Sequence, residues 1–292
     1  MGNNKDSLGD RMKEFYENRS RYYLTRRMPV AIRIDGKAFH SFTRGMKKPF
    51  DEILVKSMQE TMKYLCENIQ GCVLGYTQSD EITLVLVDYK KLNSSAWFDY
   101  EVQKMCSIAA SMATMAFNKF FTKNGHSYWY KWIEEHVDED DQDEFERQYA
   151  FAEKYWEAAE KGAMFDARAF NVPREEVTNF VYWRQLDATR NSIQMVGQAN
   201  FSHKELQNKS CNMIQDMLFT QRNINWNDLP THLKRGSCCI KDNTTTTFVT
   251  EENGEVTTGS IQRPHWVIDT EIPIFKDEGR DYIEKLINFE ED

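Results

Sequence analysis

Nowhere in the 292 residues does an apolar run approach the roughly 20 that a bilayer-spanning helix needs, so no membrane segment is expected. The opening MGNNKDSLGDRMKEFYENR has no apolar core of the secretory kind, so no secretory signal is expected. Six cysteines are present, at 66, 72, 106, 211, 238 and 239, and none forms a Cys-x-x-Cys pair. That pattern excludes the common zinc spacings and a small disulfide scaffold, and points to reduced thiols in a cytoplasmic protein. Internal repeats and low-complexity linkers are also missing. The length allows one large domain or two modest ones. If two, residues 1–135 form one unit with an N-terminal helix, and residues 136–292 complete the sheet and add a C-terminal extension.

What is present is uneven charge. The formal net charge is −9, yet residues 1–50 hold twelve Lys or Arg against five Asp or Glu, so that segment is +7 and the remainder −16. A polyanion would be steered to the basic part of an otherwise acidic protein. The cluster includes Arg19, Arg21, Arg26, Arg27, Arg33, Lys37, Arg44, Lys47 and Lys48.

Periodicity supplies the elements. Leu8, Met12, Phe15 and Tyr22 predict a helix from Ser7 to Thr25. Val30, Ile32 and Ile34 alternate with Ala31 and Arg33, which predicts a strand over 30–35. Asp51 is placed to cap a helix whose apolar face is Leu54, Met58, Met62, Leu65 and Ile69. Strands at 73–76 and 82–87, joined by the polar TQSDE, read as a hairpin. A long helix follows Ser94 and carries a small face of Ala109, Ala110, Ala113 and Ala116. The acidic EEHVDEDDQDEFE reads as a solvated face or an insertion loop. The aromatic run SYWYKWIEEH at 127–136 fits core packing or an interface. A short strand at FDARAF, helices over 174–198 and 201–218, and two C-terminal strands around Asn253-Gly254 complete the chain. The fold class is α+β, an antiparallel sheet packed with helices.

The chemistry gathers at one sheet end. The first strand terminates in Asp35-Gly36-Lys37, and the hairpin turn carries Ser79, Asp80 and Glu81. In a β-α-β-β winding, Asp35 and Asp80 converge without being neighbours in sequence. Two carboxylates at that range repel unless a cation lies between them. Mg²⁺ suits such a site, because it takes oxygen ligands and shares them with substrate phosphates. Gly36 allows close backbone approach, and its carbonyl is a possible ligand. The amides from Lys37 to His40 are placed to cradle a triphosphate, with Lys37 and Lys48 neutralising charge. Glu81 is expected on the other side of its strand and ranks below Asp80 as a ligand.

Arg33 to His40 (RIDGKAFH) and Gln78 to Glu81 (QSDE) together resemble the tRNA-His guanylyltransferase family. FDAR at 165–168, WRQLD at 183–187 and LQNKS at 206–210 continue the resemblance over residues 5–240. It implies a polymerase-like palm, a ferredoxin-like β-α-β-β core with a C-terminal helical and β extension. It also implies nucleotide addition to the 5′ end of tRNA in the 3′–5′ direction, with two Mg²⁺ ions and GTP, ATP or other NTPs as substrates. By position, Asp35 and Asp80 are the catalytic carboxylates, and they bind metal together with the Gly36 carbonyl. Asp35, Gly36, Lys37, Ala38, Phe39, His40, Lys48, Ser79 and Asp80 hold the nucleotide. Arg27, Lys104, Arg184, Asn191, Lys204 and Lys209 are candidates to meet RNA, and the assembly implied is a homotetramer.

Two departures refine this. Enzymes acting on tRNA-His carry His-Ile-Asn-Asn-Leu-Tyr-Asn where this chain has Thr189 to Met195, TRNSIQM. That favours the guanylyltransferase-like branch, which repairs 5′-truncated tRNA against the opposite acceptor strand. The alternatives are addition of a single 5′ G to tRNA-His, or a non-catalytic tRNA-binding palm. Asn208 stands where the repair branch tends to have glycine.

Overall fold

The computed structural model describes residues 7–136, 142–252 and 255–288. In chain order the helices and strands are α1 (Ser7–Phe15), β1 (Val30–Gly36), α2 (Phe39–Phe42), α3 (Glu52–Asn68), β2 (Cys72–Gln78) and β3 (Glu81–Leu86). Then come α4 (Val102–His136), α5 (Gln142–Lys161), β4 (Phe165–Asn171), α6 (Arg174–Asn200), α7 (His203–Leu206) and α8 (Cys211–Arg222). The last are α9 (Thr231–Arg235), β5 (Ser237–Glu252), β6 (Glu255–Asp269) and α10 (Asp281–Ile287).

All six strands hydrogen-bond into one sheet of order β4-β1-β3-β2-β5-β6, antiparallel at every pairing. The first four follow a β-α-β-β-α-β course in which each crossover skips a strand. The sheet takes strands from both sides of residue 135.

Alternation along β1 sorts its side chains between two cores. Ile32 and Ile34 face α3 and α4, where Met58, Met62, Leu65, Ala109, Ala113 and Phe117 are buried. Ala31 faces the other layer, with Val85, Val177 and Val181 and, from α10, Ile283 and Ile287. Ala109, Ala113 and Ala116 recur on one face of α4, and their small size lets it lie close to the sheet. A smaller cluster of Ile193, Val196, Ile214, Leu218 and Trp226 joins the end of α6 to α8.

The predicted helix over Ser7–Thr25 is too long. It ends at Phe15, a single 3₁₀ turn covers Glu17–Ser20, and the chain then runs extended. The reason is tertiary: the Leu24 amide donates to the Tyr100 carbonyl, and the Val102 amide to that of Tyr22. The described part of the acidic stretch is largely exposed, as a solvated face requires, and it is helical. α4 continues to His136 and α5 starts at Gln142, and only residues 137–141 lie outside the description. Tyr155 and Phe151 of α5 pack against Trp129 of α4, so part of the 127–136 aromatic run is core. The Asn253-Gly254 turn lies outside the described residues.

Asp51 does cap α3, its side chain accepting from the Leu54 amide at 2.9 Å. The stretch read as helical over 201–218 is two helices, α7 and α8, each capped by a serine. Asn208 lies between them with φ +61°, a conformation that asparagine tolerates better than most residues. That accounts for Asn where glycine was expected.

Candidate active site

The β1–β3 register sets Asp35 opposite Glu81, and the Gly36 amide donates to the Asp80 carbonyl at 3.0 Å. This last bond ties the end of β1 to the hairpin tip. The turn is two residues long, Ser79-Asp80, with Ser79 at φ +49°. Asp35 and Asp80 are therefore brought together at one sheet edge, both half-buried. Neither forms an ion pair with a described residue. Burial pushes the Asp80 carboxyl above the usual range, and the nearby Asp35 adds to this. The Ser79 hydroxyl, donating to Asp80 at 3.0 Å, pulls the other way.

Glu81, one residue on, has a different fate. It is buried and flanked by two arginines, with Arg184 Nη1 at 3.0 Å and Arg33 Nε at 3.2 Å. The Arg33 contact is close but not aligned as a hydrogen bond. Burial raises the Glu81 carboxyl, and Arg184 and then Arg33 oppose the rise. Glu81 is thus held by the fold, as its lower rank as a ligand anticipated.

A cleft of about 630 Å³ opens beside the paired carboxylates. Of the residues expected to hold a nucleotide, Gly36, Ala38, Phe39, His40, Lys48, Ser79 and Asp80 line it. Asp35 and Lys37, on either side of Gly36 in the chain, are not among its lining residues. Ala38, Phe39 and His40 have amides in the first turn of α2, where no intrahelical carbonyl can accept them. Lys37 differs from expectation in one respect: its amide is taken by the Met164 carbonyl at 2.8 Å, which removes it from any phosphate cradle. The Phe39 ring also departs, packing in the core against Phe42, Phe117 and Phe165. It lies so close to Gly36 that a Cβ there would sit 2.3 Å from Phe39 Cδ2. Gly36 is required by this contact as well as by any ligand.

Other groups line the cleft, of which Arg44 and Lys47 belong to the basic cluster and the rest carry no predicted site role. Arg44 and Lys47 join Lys48 on the loop before α3, Asp51 closes that loop, and Met195 and Gln198 enter from α6. The signal for the loop was the dibasic Lys47-Lys48 directly after the strand-end motif. Met195 had been noted only as a departure from the family run.

The expected RNA contacts scatter. Asn191 lines a narrow apolar slot next to the cleft, and Lys209 lines a groove of mixed polarity that shares Gln198 with it. Lys204 is exposed on α7. Arg184 corrects the expectation: its side chain is only 5% exposed, held by Glu81 and Asp187, so it is turned away from any phosphate. Its spacing showed this, since it falls on the buried stripe of Val177, Val181 and Ala188. Arg27 and Lys104 lie toward the other end of β1. The Arg27 guanidinium donates to the carbonyls of Asp88 and Lys91, and the Lys104 amine sits 4.7 Å from the centre of the Phe98 ring.

Among the described residues no group of three or more His, Cys, Asp or Glu is arranged to hold a metal. The donor set fits a hard cation that takes two carboxylates and completes its shell with substrate phosphates and water. The unpaired carboxylates and the raised Asp80 are what such an ion would relieve. No described helix is long and apolar enough to cross a membrane.

The family model for tRNAHis guanylyltransferase matches residues 9–173. A bacterial tRNA(His) guanylyltransferase-like protein solved in complex with ATP is 40% identical, with a TM-score of 0.73 over 97% of this chain and 100% of that one. Its complex with GTP gives 39% identity and a TM-score of 0.69 over 97% and 99%. The tRNA(His) guanylyltransferase of Saccharomyces cerevisiae is 26% identical over 222 residues, 71% of this chain and 80% of the yeast protein.

Proposed function

The chain belongs to the tRNAHis guanylyltransferase family, which makes it a nucleotidyltransferase, and from that premise we propose that it extends the 5′ end of tRNA in the 3′–5′ direction, repairing truncated acceptor ends against the opposite strand. The observation that carries this reading is the convergence of Asp35 and Asp80, without ion-pair partners among the described residues, beside a cleft edged by Arg44, Lys47 and Lys48. Repair is favoured over addition of one G to tRNA-His by Thr189–Met195, which departs from the run of the tRNA-His enzymes. Met195 lies in the cleft itself.

On this reading the sheet end is a palm. Asp35, Asp80 and the Gly36 carbonyl would hold Mg²⁺, which when bound offsets the negative charge that builds on the phosphates. Arg44, Lys47 and Lys48 would hold the triphosphate of ATP or GTP, with the first-turn amides of α2 beside them. The chain's task is then orientation. The 3′-hydroxyl of the incoming nucleotide attacks the activated 5′ phosphorus of the RNA. The new P–O bond forms as the bond to pyrophosphate, or to AMP on an adenylylated end, breaks, and the hydroxyl proton leaves to water. Base choice comes from pairing with the RNA, so few base-reading side chains are needed. A homo-oligomer in the cytoplasm belongs to the same reading.

The test is 5′ extension of a tRNA lacking its first nucleotide, with Mg²⁺, all four NTPs and an Asp80→Ala control. Addition that follows the opposing base and requires Asp80 is expected. Addition of G whatever the opposing base would point to the tRNA-His reaction instead, and tRNA binding without extension would point to a palm that does no chemistry.

A further inference from the structure

The basic loop from Arg44 to Pro49 is gripped from outside the sheet. Asp51, at its end, is buried and uses both oxygens. Oδ1 accepts from the Leu54 amide at 2.9 Å, and Oδ2 accepts from the Lys47 amide at 3.2 Å. Oδ2 also accepts a short hydrogen bond from the hydroxyl of Tyr155 on α5. The same hydroxyl lies 3.4 Å from the Lys47 amide. One residue earlier on α5, the Lys154 side chain lies over Gly45, where a Cβ would be 3.0 Å from Lys154 Cδ. Gly45 has φ +85°, so the loop reverses direction under that contact. Tyr155 is itself fixed, its ring packed among Phe121, Trp129 and Phe151.

We propose that Tyr155 is a positioning residue. Through Asp51 and the Lys47 amide it fixes the loop that presents Arg44, Lys47 and Lys48 to the cleft, so α5 governs the phosphate-binding side of the site. A tyrosine needed only for packing would not require its hydroxyl, because the ring contacts are complete without it. Here the hydroxyl closes onto the one carboxylate that also holds the loop and caps α3. Burial pushes the phenol's pKa up, so it stays a donor throughout the working pH range. The proposal rests on the cleft taking a nucleoside triphosphate, and its test separates the two ideas.

Tyr155→Phe removes the hydroxyl and keeps the ring. Amide hydrogen exchange in the ligand-free protein reads the clamp directly. Exchange at Lys47 and Leu54 should speed up roughly tenfold, with Ile32 and Ile34 on β1 unchanged. Titration calorimetry with Mg²⁺-ATP reads the consequence, roughly a fivefold loss of affinity that shrinks when Lys48→Ala is already present. Unchanged exchange at Lys47 overturns the proposal, whatever nucleotide does. An equal loss of affinity with and without Lys48 overturns it too, because Tyr155 would then act elsewhere. Altered exchange in a protein whose wild type binds no Mg²⁺-ATP upholds the clamp and sinks the nucleotide reading of the cleft.

Discussion

At the start of β1, Asp88 is completely buried and both of its oxygens are engaged: Arg26 Nε donates to one at 2.6 Å and the Arg27 amide to the other at 2.8 Å. Arg26 reaches on to Asp99, at 2.7 Å. At the other end of the same strand, Asp35 and Asp80 converge, and no arginine or lysine among the described residues pairs with either. The same sheet thus carries one set of carboxylates matched by the fold and one set left for something outside it. Asp80 and Glu81 repeat the contrast within two residues, since Glu81 has Arg33 and Arg184 while Asp80 has neutral donors, the Ser79 hydroxyl among them. A carboxylate whose partner is missing from the chain marks a ligand site more reliably than a carboxylate as such.

The largest effects should break this contrast at the open end. Asp35→Asn and Asp80→Asn should each lower the rate of nucleotide addition by roughly a thousandfold or more, since each removes charge where phosphates are to be neutralised. Neither should lower the melting temperature, and Asp80→Asn should raise it, because a partly buried, repelled carboxylate is relieved. Single-turnover extension and a thermal melt check both halves. A variant that lost activity by unfolding would remove the distinction between the two ends.

The closed end should respond the other way. Asp88→Asn keeps the shape and loses the charge that Arg26 and the Arg27 amide require. Urea unfolding should show a loss of about 2–3 kcal/mol, held to that range because the Arg26 side chain is 41% exposed. Activity per folded molecule should not change. Glu81→Gln is the intermediate case, with a loss of about 1–2 kcal/mol, as Arg33 loses its charged partner and the buried Arg184 keeps Asp187 alone. Extension should fall roughly tenfold as well, because Glu81 anchors the strand that begins directly after Asp80.

How much of this was legible in the sequence follows from which interactions are local. The alternation of Val30, Ile32 and Ile34, the Asp51 cap and a hairpin through TQSDE are decided within a few residues, though the strands run further into that link and leave a turn of only Ser79-Asp80. They gave β1, α3 and the hairpin nearly in place. The pairing of Asp35 with Asp80 was reachable because one crossover and one hairpin leave few ways to wind the strands. Tertiary contacts hid the rest. Residues 22–24 leave the helix to bond with 100–102, and Phe98, Asp99 and Tyr100 all take positive φ, an arrangement no local preference predicts. The helix α5 was obscured by the acidic run before it, although Phe151, Ala152, Tyr155 and Ala158 repeat at helical spacing. Arg184 was read by its charge when its spacing on α6 placed it inside.

The smallest effect is the pH dependence of the open end, and it sharpens the comparison because the sign is fixed. Burial, with Asp35 beside it, sets the Asp80 pKa in the folded protein above the unfolded value of about 3.9. In that interval the folded state binds more protons than the unfolded one, so this group's contribution to stability falls as pH rises through it and stays low above. Cation binding needs the ionised form and runs the opposite way. Affinity for Mg²⁺-ATP should weaken as pH falls, beginning at a higher pH than an ordinary aspartate would require and changing by less than about tenfold. Calorimetric titrations across this range, on wild type and Asp80→Asn, isolate the effect. The Asp80→Asn protein should bind more weakly where Asp80 is ionised, approach wild type as Asp80 protonates, and lose the part of the pH dependence that Asp80 supplies. If the variant keeps the full pH dependence, the titrating group is elsewhere, and the unpaired charge at this end of β1 is not what the ligand meets.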